Sequence, residues 1–493
     1  MIFMASVCHF PLLFAYGSLL LWTLVAAYAL LITTLIAAVL SENRNPLKAL
    51  GWVMALLLFP VGGAILYFVF GRSMRNVKMI SRRNRRRLLN SESHRPLPKL
   101  NRELSPENKQ RIMLGYSVAE AMVYPSNSIR IFNDGGEMFD SLFADISSAR
   151  RYINLQFYII ANDKLGQRLA DILIERAHSG VKIRIIYDYV GSFGSQTALL
   201  FNRLRSNGIE VHSFFRIQFP EKLGRLNWRN HRKAVIIDGK IGYIGGINVA
   251  QRYVDGGTFG RWRDMAARLT GPGVVALQHN FAIDWKFMGH ELLTDEVTEP
   301  EDCTSCHGSI DDVMVQIIAS GPTNRWGNTH MLFIKAISGA KKRIFIQTPY
   351  FLPSEGLLTA LQCAALSGVD VRLMLPYKSD SAVLTHASAS YVEESLLSGI
   401  KVYFYEAGML HGKLLLVDDD FVTLGSTNFD YRSFEHNFEE NIVMYSHEVN
   451  NAISELYKKD MDDCSQIKLS EWNRRPSMRK GRESLCRLLS PIL

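Results

Sequence analysis

The sequence predicts an α/β fold in which one α/β/α unit occurs twice, preceded by a transmembrane hairpin of two helices. Three observations carry this. Two stretches 180 residues apart repeat the same residues at the same spacing: His231, Lys233, Asp238, Gly245 and Asn248, then His411, Lys413, Asp418, Gly425 and Asn428. Counted from each His, the offsets are +2, +7, +14 and +17 in both copies. Around them, strand-like and helix-like segments alternate in the same order. At the start lie two charge-free apolar runs, 10–40 and 49–71.

Each run exceeds the roughly 20 residues that cross a bilayer, and the eight residues between them, with Asn45-Pro46, suit a short turn. No Lys or Arg precedes the first run, which disfavours a signal peptide. Arg72, Arg75, Lys78, Arg82, Arg83, Arg85, Arg86 and Arg87 follow the second run with no acidic residue among them. The positive-inside rule places everything after Gly71 in the cytoplasm, and two crossings place the N-terminus there too. The expected location is a membrane, multi-pass, with the domains after Gly71 cytoplasmic. The basic run serves topology, attraction to an anionic leaflet, or both. At the other end, Arg474, Arg475, Arg479, Lys480, Arg482 and Arg487 stand beside Leu485, Leu488, Leu489, Ile492 and Leu493, the pattern of a tail lying on a membrane surface. The net charge of +9 fits nucleic acid as well as lipid and does not decide between them.

The repeat extends beyond the His-Lys stretches. Residues 146–151 (ISSARR) parallel 337–342 (ISGAKK), and each leads into a strand, 153–160 and 344–352. Helix-like stretches 165–178 and 355–366 follow, then the apolar strands 180–187 and 368–375. Strands alternating with helices imply a sheet covered on both faces. The chain divides into a membrane hairpin (1–71), a basic juxtamembrane linker (72–125), a first domain (126–300), a polar linker (301–312) and a second domain (313–493). Cys303-Thr-Ser-Cys306-His307 matches the c-type haem attachment pattern, but haem attachment is extracytoplasmic. The charge asymmetry opposes that location, and incidental linker residues are the preferred reading.

In a strand over 230–237, residues i and i+2 share a face, so His231 and Lys233 point one way. Asp238, at an odd offset, points the other way and reads as a structural anchor, as does Asp418. Asp238-Gly239 is a hairpin-turn signal. Asn248 and Asn428 follow the returning strand and come back beside the His-Lys face. A carboxylate on Nδ1–H fixes an imidazole's tautomer and leaves Nε2 free to attack. The candidates are Asp264 and Glu439, with Glu440 a rival to the latter. Two imidazoles and two ammonium groups suit a phosphodiester. Lys233, Lys413, Asn248 and Asn428 supply donors to its non-bridging oxygens. One neutral His attacks phosphorus and the other, protonated, donates to the leaving oxygen. No metal or cofactor is expected, since no EF-hand, HExxH or P-loop pattern occurs.

The doubled His-x-Lys-x-x-x-x-Asp motif with its downstream Gly and Asn resembles the phospholipase D superfamily over residues 126–493. Asn45-Pro46 with Trp52, Phe59-Pro-Val-Gly-Gly63, Phe70-Gly-Arg72, Gly260-Arg-Trp-Arg-Asp264, Gln347-Thr-Pro-Tyr-Phe351, Asn428-Phe-Asp-Tyr-Arg-Ser433 and Leu489-Ser-Pro-Ile-Leu493 resemble bacterial cardiolipin synthases. The resemblance implies two pseudo-symmetric phospholipase D-like domains. It implies transfer of a phosphatidyl group from one phosphatidylglycerol to another through a phosphohistidine, giving cardiolipin and glycerol. The expected partners are phosphatidylglycerol, other anionic phospholipids and the membrane, with no nucleic acid. By resemblance His231 is the nucleophile and His411 the acid/base, the reverse remaining open. The family motif includes Asp238 and Asp418 in the catalytic set, where strand parity makes them supports. A lipid hydrolase, a membrane-bound nuclease and a lipid-binding scaffold are the rivals.

Overall fold

A computed structural model describes residues 9–41, 46–75, 77–89, 104–216, 227–294 and 306–490. The chain forms two compact units, one of N-terminal helices up to Ser73, the other comprising Met74–Arg216 and Trp228–Leu493.

In the N-terminal unit the first apolar run forms one helix, His9–Ser41. Its Leu19–Ser41 part has the length and composition to cross a membrane. The second run departs from expectation. It is two short helices, Pro46–Leu58 and Pro60–Leu66, the latter continuing as a π-turn over Tyr67–Gly71. Phe59 leaves the helical conformation (φ −125°, ψ 76°), because the residue before a proline is driven out of the α region. Ile32, Leu35 and Val39 pack with Leu56, Ala64 and Tyr67.

In the large unit both repeats share one 16-stranded sheet. From the centre outward, the first half runs Val123–Phe132, Ala266–Thr270, Ile241–Gly245, Ala234–Ile237, Tyr152–Phe157, Lys182–Asp188 and Glu210–Phe214. The second half runs Ile310–Ser320, Asn437–Tyr445, Phe421–Gly425, Leu414–Val417, Arg343–Gln347, Asp370–Pro376 and Lys401–Tyr405. Cys464–Gln466 extends the second edge, and Arg229–Asn230, off this path, pairs with Asn437–Tyr445. Antiparallel pairing of Val123–Phe132 with Ile310–Ser320 joins the halves at the middle. The repeat is therefore an approximate two-fold within a single sheet. Buried strand side chains such as Ile153, Leu155, Ile344 and Ile346 pack in clusters on one side of their strands, and the alternating Tyr152 and Phe345 join the core on the other. Each stabilises the fold by roughly 1.5–3 kcal/mol relative to exposure.

The segment expected to be a linker over 72–125 contributes to this unit. Helix Pro106–Ala119, capped by Ser105, packs on the second half, where buried Arg111 donates to the Ala336 carbonyl (3.2 Å). The central strands likewise begin at Val123 and Ile310, before and inside the expected boundaries. The C-terminal helix Ser477–Leu488 also packs on the second half. Arg475 pairs with Glu483 (2.7 Å) and Arg487 with Glu394 (3.0 Å), while Met478, Leu485 and Leu488 stay exposed. The tail cations are thus partly committed to protein carboxylates, and Ile492 and Leu493 lie outside the described residues, as does Cys303.

Candidate active site

The strand expected over 230–237 is broken in two. Arg229–Asn230 pairs in parallel with Asn437–Phe438 of the other half, and Ala234–Ile237 lies in the main sheet. His231–Lys233 spans the gap, where the His231 N–H donates to the Phe438 carbonyl (2.9 Å). The second motif repeats this. Gly408–Leu410 pairs with Arg261–Arg263 of the first half, and the His411 N–H donates to the Arg263 carbonyl (2.7 Å). Each catalytic segment is stitched to the opposite repeat.

The carboxylates cross over in the same way. His231 Nδ1 lies 3.0 Å from Glu439 Oε2 and 3.0 Å from the Ser426 carbonyl. His411 Nδ1 lies 2.6 Å from Asp264 Oδ2. Both carboxylates engage Nδ1, which leaves Nε2 as the nitrogen for chemistry on each ring; at His411 the Lys413 Nζ lies 3.4 Å from Nε2. Glu440, the rival, faces away from His231: its Oε1 accepts from Asn280 Nδ2 (2.5 Å), and burial raises its carboxyl to about 7.

Lys233 Nζ donates to the His231 carbonyl (2.6 Å). Lys413 Nζ donates to the His411 carbonyl and lies 2.8 Å from His411 Nδ1 and 3.7 Å from Asp264. Asn248 Nδ2 donates to the Tyr253 hydroxyl (2.6 Å), and its Oδ1 accepts from the Ile159 N–H (3.1 Å). Asn428 Nδ2 donates to Asp430 (3.0 Å), and its buried Oδ1 has no hydrogen-bond partner among the described residues. Each NH2 group retains a second hydrogen beyond its protein partner.

Asp238 and Asp418 do not join this cluster. The Asp238 carboxylate accepts from the N–H groups of Arg150 (2.8 Å), Arg151 (2.7 Å) and Tyr152 (2.9 Å). The Asp418 carboxylate accepts from those of Lys341 (3.0 Å), Lys342 (2.7 Å) and Arg343 (3.2 Å). Both sit at positive φ, 55° and 51°, where the strand turns back. They anchor the neighbouring strand in each half, which corrects their inclusion among groups that touch the reacting atoms.

The site is largely buried, and its charges feel one another. Burial pushes His411 down to about 4, reinforced by the Lys413 ammonium and opposed by Asp264. Burial also lowers His231, with Glu439 opposing and Lys233 and Lys413 adding to the shift. Lys233 is held well below the usual lysine range by burial, against the pull of Glu439, with Lys413 contributing further. Burial works against ionisation of Asp264 and Glu439. Lys413 and His411 outweigh it at the first, and His231 and Lys233 at the second, so both carboxyls titrate low. Lys413 thus acts on His231 and Glu439 acts on Lys413, which couples the two halves electrostatically.

Sequence reasoning missed several neighbours. Ser426 Oγ donates to Glu439 Oε2 (2.5 Å). Tyr158 stacks edge-on to His231 (5.0 Å), while Tyr253 (5.8 Å) and Trp262 (5.4 Å) crowd His411. Ser426 was findable, since it stands at +15 from its His. Trp262 stood inside the Gly260–Asp264 motif, whereas Tyr158 and Tyr253 carried no such signal. Among the described residues no group of three or more His, Cys, Asp or Glu could hold a metal ion.

This arrangement defines a two-histidine, phospholipase D-type site shared between repeats. A family described as "Cardiolipin synthase, PLD-like domain" matches residues 142–277 and 333–461, and one described as "Phospholipase_D-nuclease N-terminal" matches residues 20–72. The chain is 36% identical over 465 residues to a cardiolipin synthase of Geobacillus kaustophilus, covering 93% of this chain and 91% of that one. It is 37% identical over 473 residues to the major cardiolipin synthase of Bacillus subtilis, with 93% and 96% covered. A phosphatidylserine synthase structure from Haemophilus influenzae superposes with a TM-score of 0.59 at 13% identity, over 79% of this chain and 100% of that one, and supports the fold. The chain belongs to the bacterial cardiolipin synthase family of the phospholipase D superfamily.

Proposed function

We propose that this enzyme transfers the phosphatidyl group of one phosphatidylglycerol to the terminal hydroxyl of another. His231 Nε2 attacks phosphorus while His411 donates a proton to the glycerol oxygen, which leaves as glycerol. The hydroxyl of the second lipid then gives its proton to His411 and attacks the phosphohistidine, releasing cardiolipin and restoring His231. Glu439 and Asp264 hold the two tautomers. Lys233, Lys413, Asn248 and Asn428 bind the non-bridging oxygens, and Asp238 and Asp418 hold the strands that carry the motifs.

The observation that carries this reading is the crossed pairing of each imidazole with a carboxylate of the other repeat. It also explains how the acid acquires its proton. With both rings neutral, two ammonium groups and two carboxylates sum to zero. A phosphodiester adds one negative charge to a buried site, which favours uptake of one proton by an imidazole. The attacking ring is neutral beforehand and the acid is charged by the substrate itself. We further propose that the catalytic unit works on the cytoplasmic leaflet, on the strength of the basic run 72–87.

Trapping the labelled intermediate from phosphatidylglycerol and mapping it by mass spectrometry tests the assignment. Label on His231 supports it, and label confined to His411 reverses the roles. Products decide the reaction: cardiolipin with glycerol supports transfer, whereas phosphatidic acid alone means hydrolysis.

A further inference from the structure

The apolar run 49–71 is long enough to cross a bilayer once, and composition alone reads it so. The geometry points to another path. We infer that Pro46–Gly71 enters one leaflet, reverses at Phe59-Pro60 and leaves by the same face, its exposed tip covered by acyl chains. Helix His9–Ser41 then makes the single crossing among the described residues.

Positions on either side of Phe59 meet. A Cβ added at Gly63 would collide with the carbonyl of Ala55, four residues from the turn on the other side. The rings of Trp52 and Tyr67 lie edge-to-face with centroids 5.6 Å apart. In an unbroken helix these pairs would be separated by about 12 and 22 Å along the axis. Only a reversal brings both together, and Gly63 permits the backbones to touch. Each arm is also short. Pro46–Leu58 rises about 20 Å and Val61–Gly71 about 17 Å, against a hydrocarbon core of about 30 Å.

The distribution of side chains fits a hairpin dipped into one leaflet. Around the turn Leu57, Leu58, Phe59 and Val61 are between 57% and 69% exposed, while Leu56 and Tyr67 are buried inside. The flanking charges, Lys48 on one arm and Arg72 and Arg75 beyond the other, all sit at the open end, where anionic headgroups are. Two backbone hydrogen bonds flank the turn. The Phe59 N–H donates to the Ala55 carbonyl (3.0 Å), the Gly63 N–H donates to the Phe59 carbonyl (2.5 Å), and Pro60 has no N–H. Pro46 and Gly71 consequently lie at the same face of the membrane and the start of helix His9–Ser41 at the other, in place of the two-crossing hairpin.

Single-cysteine labelling of the full-length protein in cells and in inverted vesicles tests this, using a membrane-impermeant maleimide. Three variants each keep one thiol: native Cys8, native Cys363, or Asn43→Cys in the connection between the runs. The expected result is that the Asn43→Cys thiol and Cys363 are labelled from one face and Cys8 from the other. Cys8 and Cys363 on one face, with the Asn43→Cys thiol opposite, would establish two crossings and overturn the inference. Any other pattern, including all three on one face, also overturns it. A Trp52→Cys/Tyr67→Cys double variant provides a second measurement. A short bismaleimide should join the two thiols within one chain, and failure to do so under conditions that label both singly counts against the reversal. Neither readout depends on catalysis, so the result stands apart from the proposed reaction.

Discussion

The two repeats place their acids at the same point of the sheet yet build around them differently. Gly245 pairs with Ala266 in the first half and Gly425 with Asn441 in the second, and the acid lies two residues before that partner in both. Those positions are Asp264 and Glu439. The residue after the motif glycine differs: Gly246 in one half, Ser426 in the other. A Cβ at Gly246 would collide with the Asp264 carboxylate, whereas the Ser426 hydroxyl donates to Glu439. The shorter acid is thus packed against bare backbone and the longer one is held by a hydroxyl. His411 also packs against both Tyr253 and Trp262, while His231 has Tyr158 beside it and is slightly more open. Symmetry of position with asymmetry of surroundings is what two different roles require.

Removing either ring should have the largest effect. His231→Ala and His411→Ala are each expected to lower transfer of labelled phosphatidylglycerol by about 10³-fold or more, since acid–base catalysis alone contributes roughly 10²–10⁴. The comparison breaks if either variant keeps a tenth of the activity. Next come the acids. Glu439→Gln and Asp264→Asn leave shape intact but unfix a tautomer, and kcat should fall about 10²-fold in each with KM little changed. Glu440→Gln, one residue along the same strand on the other face, should lose less than about threefold. An equal loss at 439 and 440 would refute the register argument.

That register was half legible in the sequence. Matched offsets exposed the repeat, the His-Lys pairs and the strand order, because burial imposes the same apolar strands on both copies. Asp264 and Glu439 could be nominated, but assignment of each to the opposite repeat depends on ladders joining Asn437–Phe438 to Arg229–Asn230 and Gly408–Leu410 to Arg261–Arg263. No local pattern encodes those contacts between residues more than a hundred positions apart. The break at His231–Lys233 was hidden for the same reason, since 230–237 reads as one strand until a partner from the other half takes its first two residues. Hydropathy likewise reported that 49–71 is apolar without reporting that the chain reverses at Phe59, although Phe59-Pro60 marked the place.

Exchanging the residues beside the acids sharpens the comparison. Ser426→Gly removes a hydrogen bond to a carboxylate, a loss of roughly 1.5–3 kcal/mol if fully felt, so kcat should fall about tenfold or somewhat more. Gly246→Ser inserts atoms where Asp264 lies and should displace the His411 pair, with a loss of about tenfold in kcat. Steady-state assays in mixed micelles read both. If Gly246→Ser is silent, Asp264 has more room than the geometry grants.

The smallest expected effect separates the surroundings of the rings from their chemistry. His411 titrates near 4 in the folded protein, chiefly through burial with Lys413 adding to it, against about 6.5 unfolded. Between those values the unfolded chain binds the proton and the native site does not, so stability falls as pH drops from 6.5 towards 4 and is unaffected by this group above 6.5. The span corresponds to on the order of 3 kcal/mol. A His411→Gln variant removes the titration, so its thermal midpoint in detergent should decline less steeply than that of the wild type over that interval, with the two curves parallel above about pH 7. Because Tyr253 and Trp262 pack against the buried His411 ring, Trp262→Ala should raise the folded value towards 6.5 and flatten the decline part of the way. Identical slopes in all three proteins would mean that the aromatic enclosure does not keep His411 neutral, and the distinction drawn between the two halves would lose its physical basis.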